Sequence, residues 1–74
     1  MSQYGVILFF TTSSAIQSEK MLLKESFAVK LIPVPRELSS DCGIALRFDW
    51  DDMERVTLVL VEAKVETDSV HRLP

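Results

Sequence analysis

The sequence is short of the residues that most often carry chemistry. Its 74 positions hold a single cysteine, Cys42, a single histidine, His71, and only two glycines. One cysteine excludes an internal disulfide and suits a reducing, cytoplasmic compartment. Cys42 and His71 together fall short of the several ligands a metal site needs, and His71 reads as a solvated side chain of the last segment. Gly5 and Gly43 stand far apart, so there is no glycine-rich phosphate loop. Basic residues are outnumbered, 8 against 11 acidic, which argues against binding a nucleic-acid backbone. The charges are interspersed and leave no footprint for a membrane surface. The longest apolar runs, Gly5 to Phe10 and around Leu31 to Val34, are too short to cross a bilayer. The opening Met1-Ser2-Gln3-Tyr4-Gly5 lacks a basic region and a cleavage site, and does not read as a signal peptide.

What is present is a series of short periodic segments. The length suits a single domain, 1–74, whose core is too thin for a spacious internal active site. Tyr4 to Phe10 is continuously apolar and rich in β-branched and aromatic residues, which predicts a strand covered on both faces. Any of the hydroxyls of Thr11, Thr12, Ser13 and Ser14 suits a helix start, and Ser14 with Gln17 makes a capping box. Ala15, Ile16, Leu22, Leu23 and Phe27 share one side of a helix from Ala15 to about Phe27. Ala28 to Val34 reads as a second strand, and Pro33 and Pro35 place it at a sheet edge. Ile44, Leu46 and Phe48 alternate with Ala45 and Arg47 in a third strand. Asp51 with Glu54 predicts another capping box. Met53, Val56, Val59 or Leu60, and Ala63 then keep helical spacing, although Val56 to Val61 is β-branched enough for a strand. Val65 to Leu73 is a polar last strand. The acids Asp49, Asp51, Asp52 and Glu54 are explained by the helix dipole rather than by cation binding.

The order β-α-β-β-α-β, with right-handed crossovers, predicts an α+β, ferredoxin-like fold. Four antiparallel strands in spatial order four, one, three, two would carry both helices on one face. Alternate residues of the first strand, either Ile7 and Phe9 or Val6, Leu8 and Phe10, must then face away from the helices. Such a stripe is expected to form a homodimer or docking surface, unless Tyr4, Trp50 and the tail cover it.

The same topology brings the turn into the first helix and the loop between strands two and three to one end of the sheet. Thr11, Thr12, Ser13 and Ser14 are therefore expected beside Cys42. A helix N-terminus offers partial positive charge and free N–H groups, which favour a thiolate. Arg36 in the loop adds to that effect, and Asp41 opposes it. The loop from Pro33 to Gly43 exceeds the roughly two to five residues usual in a hairpin. Ser39, Ser40 and Asp41 can shape turns in it, and Gly43 either approaches another backbone or takes a positive φ. The plainer reading of a lone cysteine is a small buried hydrophobe.

The run Ile32-Pro33-Val34-Pro35-Arg36-Glu37-Leu38-Ser39-Ser40-Asp41-Cys42-Gly43-Ile44-Ala45-Leu46 resembles the signature of the selenium/sulfur carrier-like domains, a group of small bacterial proteins. Phe10-Thr11-Thr12-Ser13-Ser14-Ala15, followed by Glu19-Lys20 and Leu22-Leu23, is similar to the start of that family's first helix. The resemblance covers most of the chain, and its loop motif is long and specific. It implies a carrier rather than an enzyme that turns over a substrate, with sulfur or selenium held on the cysteine as a persulfide or selenosulfide. By that match Cys42 bears the carried atom, and Arg36, Ser39, Ser40 and Gly43 shape the pocket around it. No cofactor is implied; the partners are a desulfurase-like donor and an acceptor protein. The residues themselves leave two other readings open. One is a non-covalent module holding an anion at the helix start with Arg36, and the other is a protein-interaction domain that uses the sheet face.

Overall fold

The computed structural model describes residues 3–38 and 42–74. Its elements follow the expected order: β1 (Tyr4–Leu8), α1 (Thr12–Lys24), β2 (Val29–Pro33), β3 (Ile44–Asp49), a 3-10 turn (Trp50–Asp52), α2 (Met53–Glu62) and β4 (Ser69–Arg72). The strands form one antiparallel sheet in the order β2-β3-β1-β4. This is the α+β, ferredoxin-like arrangement that the sequence pattern predicts. The two most apolar strands, β1 and β3, lie at the centre, paired from Tyr4 opposite Asp49 to Leu8 opposite Ala45. The proline-bearing strand and the polar strand take the edges.

Both helices end earlier than periodicity suggests, for a shared reason. At the end of α1, the Phe27 N–H donates to the Leu22 carbonyl and the Ser26 N–H to the Leu23 carbonyl, with Ser26 at φ 69°. At the end of α2, Val65 donates to Leu60 and Lys64 to Val61, with Lys64 at φ 60°. Each is a left-handed stop that satisfies the last carbonyls and folds one apolar residue back onto the helix. Glycine usually holds this position, and neither stop has one. The α2 start also differs from expectation. Asp51 and Glu54 do not form a box; instead the Asp49 carboxylate accepts from the Asp51 N–H and closes the 3-10 turn. Asp52 accepts from Arg55 at 2.6 Å on the surface, at most a small contribution to stability.

The two faces of the sheet are covered differently. On the helix face, Ile7, Phe9, Leu46 and Phe48 pack with Ala15 and Leu22 of α1 and Val56 and Leu60 of α2. Gly5 belongs to this face because Trp50 lies over it. A Cβ there would come within 2.6 Å of the Trp50 ring and 2.7 Å of Phe48.

The opposite face carries Val6, Leu8 and Ala45, all buried. The expected exposed stripe is absent at these positions, because Ile32, Val34, Leu38 and Leu73 pack over them. Val34 and Leu38 come from the loop after β2, so that loop straps the second face. Of the covers expected there, the tail supplies Leu73. Trp50 lies on the helix side instead, and Tyr4 is partly exposed under the Arg47 guanidinium.

Candidate functional site

The site begins at the end of β1. Phe9 is buried in the helix-side core, and the next residue, Phe10, is 51% exposed as the chain leaves the sheet. Thr11 takes an extended conformation and caps α1, its Oγ1 accepting from the Ser14 N–H at 3.1 Å. The Thr11 hydroxyl also donates to Ser14 Oγ at 3.0 Å. The cap is therefore Thr11 rather than Ser14, and the helix begins three residues before the predicted start. Periodicity alone could not separate four successive hydroxyl residues, each with the same capping chemistry.

Cys42 approaches this helix start from the far end of the loop. Its thiol lies 3.8 Å from Thr12 Oγ1, the hydroxyl of the first helical residue. The side chain is half-buried and rests against the helix-side core. It is neither sealed in the interior nor held out in solvent. Gly43 directs it there with φ +79°, a left-handed backbone conformation favouring glycine. A Cβ at Gly43 would meet nothing within 4 Å, so backbone conformation rather than space selects glycine. The Gly43 carbonyl accepts from the Val34 N–H, which ties the cysteine limb of the loop back to β2.

The other residues expected at the site divide. Of the four hydroxyls named at the helix start, Thr12 reaches the sulfur and Thr11 caps the helix. Ser14 is engaged in the cap, and its carbonyl accepts from the buried Ser18 hydroxyl at 2.8 Å. Ser13 is exposed and faces outward with Ile16, Gln17 and Lys20. Arg36 is exposed in the tight turn closed by Leu38 N–H to the Pro35 carbonyl. That turn lies between Val34 and Leu38, on the strap over the second face, whereas Cys42 packs on the helix side. Ser39, Ser40 and Asp41 lie outside the described residues.

His71 is not a solvated tail residue. It is half-buried on β4, opposite Val6, with Nε2 2.8 Å from the Ser69 hydroxyl. Since Val70 faces the helix-side core, strand alternation turns His71 to the other face, away from Cys42. Cys42 and His71 thus form no nucleophile–base pair. Among the described residues, no group of three His, Cys, Asp or Glu side chains converges as metal ligands would, and no helix is long and apolar enough to cross a membrane.

One residue near the site escaped the sequence reading. Phe10 belongs, by composition, to the buried run of β1. The strand ends at Leu8, however, and Phe10 projects beside the α1 cap. The cluster of hydroxyls right after it, which ends the apolar run, was the available signal.

A family model described as Putative Se/S carrier protein-like matches residues 4–72, nearly the full chain and every element named above. No curated protein and no solved structure matches.

Proposed function

Because the chain belongs to the Se/S carrier-like family and its one cysteine meets the start of α1, we propose that it carries sulfur or selenium on Cys42 between two protein partners. The observation supporting this reading is the placement of a half-buried thiol against the Thr12 hydroxyl at a helix N-terminus. The thiolate is the form of cysteine that attacks sulfur. In that form the sulfur becomes an acceptor, and the Thr12 O–H, no longer needed as an acceptor, turns its proton toward it.

The transfer is an exchange at sulfur and needs no external oxidant. The Cys42 thiolate attacks the terminal sulfur of a donor persulfide. A new S–S bond forms on Cys42 while the donor's S–S bond breaks, and the electron pair leaves on the donor's thiolate. An acceptor thiolate then repeats the attack on the persulfide of Cys42 and regenerates its thiolate. A donor selenosulfide exchanges by the same steps. A desulfurase-like enzyme is the donor this chemistry calls for, since it presents a cysteine persulfide. Phe10 offers an exposed aromatic contact to an incoming partner.

Radiolabelled sulfur tests the relay. The protein is loaded from a persulfide-bearing desulfurase, freed of donor and small molecules, and offered to an acceptor thiol protein. Wild type is expected to retain label and then lose it to the acceptor. Cys42→Ser is expected to retain none; equal retention by this variant would point to non-covalent anion binding and reject the carrier reading.

A further inference from the structure

The two edges of the sheet are treated unequally. Along β2 the backbone nitrogens of Val29, Leu31 and position 33 point outward, because the even residues pair with β3 and Val34 continues that series. Position 33 is proline and has no N–H. The Leu31 N–H donates to Glu19 Oε2 at 3.2 Å, a carboxylate reaching down from α1. A proline and a side-chain cap are devices that stop a strand from pairing with another chain.

Within Ser69–Arg72 the β4 edge carries neither, and the next proline, Pro74, stands two residues past the strand. Leu73 N–H donates to the Tyr4 carbonyl, so residues 69, 71 and 73 pair with β1, and the backbone groups of Val70 and Arg72 face outward. No described strand or helix pairs with that side. Beside it, α2 exposes an apolar residue, Val61 at 71%. Val61 lines a recess of about 40 Å³ with Thr67 and Val70, next to the open edge.

We propose that β4 pairs antiparallel with β4 of a second copy of this chain, giving one continuous sheet across a two-fold axis. The outward groups are self-complementary under that operation. Val70 opposite Arg72 of the second copy exchanges both N–H···O=C bonds, and the two-fold repeats the exchange. Helix spacing favours a second copy over a bare peptide strand. Strands lie about 4.8 Å apart, and α2 sits over β1 and β4, packed on Ile7 and Val70. The two α2 helices then run about 10 Å apart, near the usual packing distance, with Val61 beside the junction. A lone strand would satisfy the edge and leave that flank bare. Cys42 lies away from the β4 edge, just before β3 and by the start of α1, so both carrier sites stay open in the pair.

Sedimentation equilibrium with circular dichroism tests this. Wild type is expected to be a dimer at micromolar to millimolar concentration. Arg72→Pro removes an outward N–H while leaving the bonds to β1, and is expected to weaken the dimer by about tenfold or more. Arg72→Ala keeps the N–H and is expected to remain dimeric, which separates backbone pairing from the guanidinium. Val61→Glu sets like charges beside the axis on a residue already in solvent, so it keeps its fold and is expected to shift the protein toward monomer. A wild type that stays monomeric at millimolar concentration overturns the proposal, as does unchanged dimerisation by Val61→Glu or by folded Arg72→Pro.

Discussion

The two limbs of the connection between β2 and β3 finish on opposite faces of one sheet. The first limb, through Val34 and Leu38, lies over Val6, Leu8 and Ala45 and closes the face that the helices leave bare. The second limb, through Cys42 and Gly43, meets the helix side and sets the sulfur at the start of α1. The first limb is held by apolar burial, which is tolerant of detail. The second turns on backbone conformation at a left-handed glycine and on a thiol–hydroxyl contact, which are sensitive to it. A long loop in so small a domain therefore serves the core at one end and the chemistry at the other. The difference implies that the limbs are separable by mutation.

Of the loop variants, Leu38→Ala is expected to give the largest loss of stability, about 1–2 kcal/mol, because a partly buried leucine forfeits transfer energy and opens the second face. Sulfur loading of the remaining folded protein should be unchanged. Denaturant unfolding beside a loading assay checks this, and loss of loading in the folded variant would break the separation. Gly43→Ala is expected to cost about 1 kcal/mol through its positive φ alone, since no atom obstructs the added methyl. Unlike Leu38→Ala it should also slow loading, because it disturbs the aim of Cys42. Thr12→Val keeps the shape of the helix start and removes the hydroxyl. It is expected to leave the melting temperature within about a degree or two and to slow alkylation of Cys42 a few-fold. An alkylation rate equal to wild type would remove Thr12 from the site.

Outside this loop, Gly5→Ala sharpens the contrast from the thick side of the sheet. The methyl meets the Trp50 and Phe48 rings, which cannot yield as a flexible chain would, so a loss of about 1–3 kcal/mol is expected. Loading should be unaffected, since Trp50 pairs with Gln3 at the end of the sheet opposite Cys42.

Much of the fold was legible because several signals agreed. Prolines in β2 and polar residues in β4 placed those strands at the edges, and the apolar runs of β1 and β3 took the centre. The shared location of Cys42 and the helix start followed from strand direction alone. The helix ends were not legible, because Ser26 and Lys64 hold conformations that sequence rules assign to glycine. Nor was the cover of the second face, since Val34 and Leu38 look like ordinary loop residues until the chain doubles back over Leu8. Arg36 was expected near the sulfur from proximity in sequence. It sits exposed in the Pro35 to Leu38 turn, between two residues that cover the second face, a placement with no periodic signature.

The claim that Cys42 accepts a sulfur atom by exchange is tested most directly by intact-protein mass spectrometry after incubation with a persulfide-loaded desulfurase. The expected result is one added sulfur per chain on wild type, removed by a reducing thiol, and no addition to Cys42→Ser. Wild type that stays at its unmodified mass beside a donor shown to be loaded would contradict it.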